Sequence, residues 1–145
     1  MTNLVVVDAS LAAMWAVPEQ YSEQALTLAS RWADEEISII APCLLLSEIT
    51  NAIYKRVLHQ EMDLNTAQEA LRVILAFDIE IREEPGLHAR ALELAHRFRM
   101  PTTYDAHYLA LAEHHGCTFW TGDRKLYNTV KAALPWVNWI GNLPS

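Results

Sequence analysis

The sequence predicts one α/β domain, in which a mostly parallel sheet lies between two layers of helices. Short runs rich in β-branched residues alternate with longer segments of helical periodicity, a pattern typical of parallel α/β folds. The first two runs, residues 3–8 and 37–41, are almost continuously apolar, as expected for strands buried on both faces. Of the 145 residues, 52% are hydrophobic, which suffices for one core, and no linker or repeat divides the chain.

The individual elements follow from periodicity and from residues that begin or end helices. Strands are predicted at residues 3–8, 37–41, 79–82, 117–121 and 136–140. Helices are predicted at residues 9–17, 19–35, 42–59, 65–77, 86–99, 103–115 and 123–134. Pro18 ends the first helix, because proline does not fit inside a helix. Pro42 begins the third, because a first-turn residue has no intrahelical partner for its N–H. Asn65 or Thr66 is predicted to cap the fourth helix, and Gly116 to end the sixth.

Charge and cysteine content narrow the classes of function. The chain has 18 acidic and 11 basic residues and a formal net charge of −7, which argues against a general nucleic-acid binder. Cys43 and Cys117 form no CxxC pair, which favours a reducing compartment. The N-terminal residues lack the basic and apolar regions of a signal peptide, and no apolar run approaches the ~20 residues of a membrane span. A cytoplasmic protein with no membrane association is therefore expected.

Four carboxylates fall where ligands of parallel sheets gather, beyond the carboxyl ends of the strands. Asp8 follows the first predicted strand directly, and Asp123 follows the fourth by two residues. Asp105 lies in the first turn of its predicted helix. Glu48 lies among leucines in the helix after the second strand, with no basic residue at the third or fourth position after it. The four acids can therefore meet at one edge of the sheet.

Each aspartate also has a purely local interpretation. Asp8 and Asp123 fit helix N-caps, and Asp105 fits a first-turn acid that complements the helix dipole, worth about 0.3–1 kcal/mol. Glu48 fits a local role least well, since an unpaired carboxylate among leucines is costly. Crowded carboxylates repel one another unless a cation compensates them. Hard oxygen ligands suit Mg²⁺ or Mn²⁺, and such a site supports metal-assisted phosphoryl chemistry.

Four segments carry a resemblance to a known family: VVVDAS at 5–10, LLLSEITNAI at 44–53, TYDAHYLALAEHHG at 103–116 and TGDRKL at 121–126. In this order they resemble the PIN-domain nucleases, and most of all the VapC-type toxins of toxin–antitoxin pairs. The resemblance implies a single PIN domain over residues 1–145, with a three-layer α/β/α PIN-like fold. It also implies an Mg²⁺- or Mn²⁺-dependent endoribonuclease acting on RNA, a homodimer, and silencing by a small cognate antitoxin.

The resemblance also assigns roles to the acids. Asp8, Glu48, Asp105 and Asp123 match the family's catalytic acidic positions, and the three aspartates among them match its metal ligands. Many members carry a further acid two positions after the last one. Here that residue is Lys125, so metal binding at this corner would depend on Asp123 alone.

Four further residues are expected to bind substrate or support the acids. Ser10 and Thr121 match hydroxyl positions near the site, and Asn51 matches a polar position on the Glu48 helix. Arg124, next to Lys125, could hold RNA phosphates. The alternative for this basic pair is a solvated helix end.

Two other classes of function stay open. One is a phosphatase or receiver-like domain that uses Asp8 as nucleophile, although Ser10 stands where a haloacid-dehalogenase-type phosphatase would have a second aspartate. The other is a PIN-like binding module without catalysis, which the retention of all four acids disfavours. For partners, Met14 and Trp15 could form an exposed antitoxin site or a core anchor. The helix at 65–77 could pack on the sheet or on a second copy of the chain.

Overall fold

A single five-stranded sheet forms the centre of the molecule. The computed structural model describes residues 3–144, so Met1, Thr2 and Ser145 of the predicted domain lie outside the described residues. The strands are β1 Leu4–Val7, β2 Ser38–Ala41, β3 Ile79–Ile81, β4 Thr118–Thr121 and β5 Val137–Trp139. Their order is β3-β2-β1-β4-β5, and every neighbouring pair is parallel. The predicted parallel sheet is confirmed.

Helices connect the strands and complete a three-layer α/β/α arrangement. They are α1 Ala9–Ala13, α2 Ser22–Asp34, α3 Leu44–Leu58, α4 Leu64–Leu75, α5 Leu87–Arg97, α6 Tyr104–His115 and α7 Arg124–Val130. A short 3₁₀ turn, Ile140–Asn142, follows β5. Within residues 3–144, no helix combines the length and apolar character that crossing a membrane requires.

The order of the strands reverses beside β1. The chain moves outward from β1 through β2 to β3, and then returns so that β4 pairs with the other side of β1. In open α/β sheets, ligands bind at the carboxyl ends of the strands next to such a reversal. Asp8 follows β1 at this point, so the topology places a carboxylate where a ligand is expected.

The strand β1 that precedes Asp8 and the helix α6 that packs against β1 are deeply buried. Val5, Val6 and Val7 are buried on both faces of the sheet, which explains the continuous apolar run of β1. In α6, all residues from Tyr108 to Ala112 are buried, so this helix is covered on several sides rather than on a single face. Asp8 at the end of β1 and Asp105 at the start of α6 are therefore attached to well-packed elements.

Two local predictions were wrong. The cap of α4 is Asp63, whose carboxylate accepts a hydrogen bond from the Thr66 N–H at 2.7 Å, instead of Asn65 or Thr66. The first helix ends at Ala13, and the chain continues in turns before Pro18. Asp63, Asn65 and Thr66 are all favourable N-cap residues, so the sequence pattern alone does not decide at which of them the helix begins.

Met14 and Trp15 are core residues. Both are buried, the Trp15 indole N–H donates to the Ala25 carbonyl at 3.1 Å, and its ring stacks on Phe77. An exposed antitoxin site at these two residues is therefore wrong, and the core-anchor alternative is confirmed.

Candidate active site

Asp8 lies between β1 and α1, and its carboxylate is held by three donors. The backbone N–H of Leu11 donates to Oδ1 at 3.0 Å, which makes Asp8 the N-cap of α1. The Ser10 hydroxyl donates to the same oxygen at 2.7 Å, and the Thr121 hydroxyl donates to Oδ2. The residue is only 4% exposed. Ser10 and Thr121, predicted as hydroxyl positions near the site, therefore fix the orientation of this carboxylate.

The end of β4 is tied to α1 by the same hydroxyl groups. The Gly122 N–H donates to Ser10 Oγ at 2.9 Å, and the Asp123 N–H donates to Thr121 Oγ1 at 2.9 Å. A Cβ atom at position 122 would lie 2.6 Å from the Met14 methyl carbon and 3.1 Å from Ser10 Oγ. Glycine at this position therefore allows α1 and the β4–α7 junction to approach closely.

Asp123 repeats the arrangement of Asp8 at the next strand. It follows β4 and is the N-cap of α7, because its Oδ1 accepts the Leu126 N–H at 3.1 Å. The local interpretation as helix caps thus holds for both aspartates. It does not compete with a role in a site, since a capping carboxylate still presents further lone pairs to a cation.

Glu48 and Asp105 come from two helices, α3 and α6. Asp105 lies in the first turn of α6, as predicted. Glu48 Oε1 accepts a hydrogen bond from the Tyr108 hydroxyl at 2.6 Å. The buried Tyr108 ring stacks on Phe119 of β4, with 6.0 Å between ring centroids, which anchors the hydroxyl group. Sequence reasoning missed Tyr108, although its position three residues after Asp105 on the same helix face was a usable signal.

The pKa shifts of Asp8 and Asp105 indicate that the four acids lie close enough to repel one another. Burial raises the pKa of Asp105 to about 6, and the negative charges of Glu48 and Asp123 add to this increase. Burial also raises the pKa of Asp8 to about 6 against the opposing hydrogen bonds that it accepts, with a smaller contribution from Asp105. The structure therefore brings the four predicted acids into one group, which we call the acidic site.

Compensation by basic side chains is missing at the acidic site. Of the ion pairs formed within residues 3–144, none involves Asp8, Glu48, Asp105 or Asp123. Asp8 is buried and the other three acids are half-buried. Carboxylates that repel one another in such surroundings are stabilised by a divalent cation, and hard oxygen donors suit Mg²⁺ or Mn²⁺. The residues present therefore fit such an ion.

The oxygen atoms of the acidic site are held apart. Across residues 3–144, no three acids of the acidic site bring carboxylate oxygens within 4.8 Å of one another. Ligand atoms of Glu84, His114 and His115, elsewhere in the structure, do lie this close together. Hydrogen bonds to the protein fix several of these oxygens where they are. Mg²⁺ is usually held by one or two carboxylates and retains several waters, so an ion here would contact some of these acids directly and the others through bound water.

The remaining predicted residues lie at the margin of this group. Asn51 is exposed on α3, about one turn after Glu48. Arg124 begins α7 directly after Asp123, and its guanidinium lies over the Trp139 ring, 5.1 Å from the ring centroid. The positive charge of Arg124 is thus held against Trp139 of β5. Among the described residues, Arg124 forms no ion pair with the acidic site.

Comparisons with known proteins agree with this fold. Residues 5–132 match the model of the PIN domain family. The chain is 32% identical over 122 residues to Ribonuclease VapC3 of Pyrobaculum aerophilum, covering 84% of this chain and 91% of the relative. The crystal structure of PAE2754 from the same organism is similar with a TM-score of 0.65 and 27% identity, covering 92% of this chain and 90% of the other. The predicted PIN-like fold is confirmed. The chain therefore belongs to the PIN-domain family and, within it, to the VapC type.

Proposed function

We propose that this protein is the toxin of a toxin–antitoxin pair and acts as a divalent-metal-dependent endoribonuclease that hydrolyses RNA phosphodiester bonds. The observation that carries the proposal is the acidic site, in which four carboxylates share one edge of the sheet without a basic partner among the described residues. The similarity to Ribonuclease VapC3 supports RNA as the substrate. The family supports a role in a toxin–antitoxin pair.

In this proposal, Asp8, Asp105 and Asp123 hold Mg²⁺ or Mn²⁺. When bound, the ion supplies Lewis-acid stabilisation of phosphate oxygens and activation of water. Ser10 and Thr121 keep the Asp8 carboxylate in one orientation through the hydrogen bonds that they donate. These hydroxyl groups therefore act as positioning residues.

Glu48 is assigned to accept the proton of the attacking water. Its Oε1 atom accepts the Tyr108 hydroxyl at 2.6 Å, so the carboxylate is held at one oxygen. The other oxygen, Oε2, is the atom that we assign to the proton. Tyr108 would then position Glu48 without contacting the substrate.

The substrate contacts are assigned to basic and polar groups at the margin of the acidic site. A protein of net charge −7 needs local positive charge to hold RNA phosphates. Arg124 and Lys125 are both exposed and follow Asp123 directly, and Asn51 lies on the Glu48 helix. If reversing the charge of Arg124 and Lys125 leaves RNA binding and its salt dependence unchanged, this assignment is wrong.

For partners, we propose a homodimer and a complex with a small antitoxin, in the cytoplasm. Large apolar side chains are exposed on the two packed helices α3 and α4: Leu46, Tyr54, Leu58, Leu64, Val73 and Leu75. Exposed apolar surface of this kind marks protein–protein contacts. A charged residue in place of Leu58 should shift the protein toward the monomer in size-exclusion chromatography, and an unchanged elution volume would contradict a dimer through this surface.

The central test is RNA cleavage by purified protein with Mg²⁺, with Mn²⁺ and with a chelator. We expect cleavage of a mixed RNA pool with either metal and none with the chelator. Asp8→Asn keeps a hydrogen-bonding cap but removes a charged ligand, so cleavage should fall by about 100-fold or more while the fold is retained. Asp63→Asn is the matched control, because Asp63 is also an N-cap aspartate but lies outside the acidic site.

Each alternative class of function gives a different result in this assay. Release of phosphate from small esters without RNA cleavage would indicate a phosphatase. Inactivity with both metals, in protein free of antitoxin, would indicate a binding module. Cleavage by Asp8→Asn at the original rate would remove Asp8 from the proposed mechanism.

A further inference from the structure

A second group of potential metal ligands lies at the other end of α6. Glu84 follows β3, whereas His114 and His115 form the last turn of α6. His115 Nε2 lies 2.8 Å from Glu84 Oε1, and His114 Nε2 lies 3.8 Å from Glu84 Oε2. One ligand atom of each residue lies within 4.8 Å of the other two. The carboxylate thus stands between two imidazole nitrogens, each of which faces a different oxygen.

We propose that Glu84, His114 and His115, here called the Glu84 cluster, form a Zn²⁺ site separate from the acidic site. Two imidazole nitrogens and one carboxylate oxygen are a ligand set that binds Zn²⁺ while leaving a fourth position for water. Ligands at about 2.0–2.1 Å from a tetrahedral ion stand about 3.3 Å apart. The observed separations of 2.8 and 3.8 Å lie on either side of this spacing but run to the two different oxygens of Glu84, so rotation of this carboxylate and of the exposed His114 side chain is needed to complete the site.

The surroundings of the Glu84 cluster favour a cation and allow it to enter. The end of α6 carries the negative pole of the helix dipole and carbonyl groups without intrahelical donors. Gly116, in the left-handed conformation with φ of 61°, ends the helix directly after His115. The His115 and Glu84 side chains are 15% and 22% exposed, whereas His114 is 53% exposed. Two ligands are therefore preorganised by packing, and the third closes the site from the solvent side.

Arg82 is the basic group that opposes a cation here. Its Nη1 atom lies 3.5 Å from Nδ1 and 3.4 Å from Nε2 of His115, so it does not lie along the lone pair of either nitrogen. Its Nη2 atom donates to Glu80 at 3.0 Å, which draws the guanidinium toward another carboxylate. Removing this positive charge should tighten Zn²⁺ binding. A purely structural Glu84–His115 ion pair gives no such expectation.

The Glu84 cluster is distinct from the acidic site in position and in ligand chemistry. Asp105 and His115 are separated by ten residues of one helix, which corresponds to about 15 Å along its axis. The acidic site offers only oxygen ligands and suits Mg²⁺, whereas imidazole ligands favour Zn²⁺ and other late transition ions. The proposed Zn²⁺ site does not rest on the proposed ribonuclease activity.

The test measures Zn²⁺ binding by calorimetry in metal-free protein that carries Asp105→Asn, so that the acidic site is weakened. We expect one Zn²⁺ per chain, and we expect Co²⁺ to give the intense visible absorption of a tetrahedral site with imidazole ligands. His114→Ala and Glu84→Gln should each weaken Zn²⁺ binding by about 10-fold or more, whereas Arg82→Gln should strengthen it several-fold. His96→Ala is the matched control, because His96 is an exposed histidine in the last turn of α5.

Each result of these binding measurements either supports or overturns the proposed Zn²⁺ site. No Zn²⁺ binding in the Asp105→Asn protein, or equal affinity with His114→Ala and His96→Ala, would overturn the proposal. Since His114 is exposed, its substitution should leave the circular dichroism spectrum unchanged, so a loss of binding reports the ligand itself. An increase in the thermal midpoint with Zn²⁺, lost with His114→Ala, would support the site independently.

Discussion

Acidic side chains in this protein fall into two regions of opposite character. On the outer surface of α5 and α6, Arg90 bonds Glu113 at 2.6 Å and Glu93 at 2.8 Å. At the acidic site, no member takes part in an ion pair formed within residues 3–144. The candidate catalytic carboxylates are therefore distinguished by being buried or half-buried without an ion pair, whereas the other acids without ion pairs are exposed.

The same chemical group is affected in opposite directions in the two regions. The Arg90 hydrogen bond lowers the pKa of Glu113, so its charged form is stabilised in the folded protein. Burial and neighbouring acids raise the pKa of Asp105 to about 6, so its charged form is destabilised there. A divalent cation would reverse the second effect, which is why folding and metal binding should be coupled at the acidic site.

The largest expected difference between the two regions is the change in RNA cleavage when one acid in each region is neutralised. Asp105→Asn should reduce RNA cleavage by about 100-fold or more, while the free energy of unfolding of the metal-free protein stays equal or increases. Glu113→Gln should leave cleavage within about two-fold and cost less than about 1 kcal/mol, because it breaks an exposed ion pair. Cleavage assays and urea denaturation measure both quantities. An active Asp105→Asn protein would refute the assignment.

The pH dependence of stability should show the cost of burying Asp8. Its pKa is 3.8 when unperturbed and about 6 in the folded protein, so between these values the folded state binds more protons than the unfolded state. This contribution to stability is complete below the lower value and is lost as pH rises through the upper one, about 3 kcal/mol in all by pH 7.

The difference between wild type and Asp8→Asn isolates this contribution. We expect urea denaturation with chelator, from about pH 4 to about pH 7, to show that the free energy of unfolding of the variant rises relative to that of wild type as pH rises. Saturating Mg²⁺ should reverse this trend, because only the wild type gains the full binding energy. A difference that stays constant with pH would contradict the proposed cost.

The smallest expected effect concerns Tyr108, which acts through Glu48. Tyr108→Phe removes the hydroxyl group that holds Glu48 Oε1, so cleavage should fall by about 10-fold and stability by about 1 kcal/mol. A role as positioning residue predicts that kcat falls more than the affinity for RNA. Tyr104→Phe is the matched control, since Tyr104 is exposed on the same helix. Equal kinetics for the two variants would remove Tyr108 from the mechanism.

The sequence predicted those parts of the fold and site that have local signals. The β-branched run before Asp8 predicts a buried strand, and the strand–helix alternation predicts the parallel sheet. Asp8 and Asp123 could be found because each lies within two residues of the end of a strand. The position of Gly116 also gave the end of α6 correctly.

Features that depend on packing between distant segments were not predictable. The bond from Tyr108 to Glu48 joins residues 60 positions apart, and that from His115 to Glu84 joins residues 31 positions apart. The burial of Trp15 depends on Phe77, which belongs to a different part of the chain. In each case the sequence pattern does not identify the distant neighbour against which the residue packs.

The double use of Asp8 and Asp123 limits which inactive forms of this protein can persist. Each residue caps a helix and also belongs to the acidic site, so alanine at either position would cost about 1 kcal/mol of cap energy together with the charge. Asparagine would sacrifice the charge alone. Selection against a harmful activity should therefore accumulate asparagine or serine at positions 8 and 123. A wider range of residues should be tolerated at position 105, because Asp105 does not cap a helix.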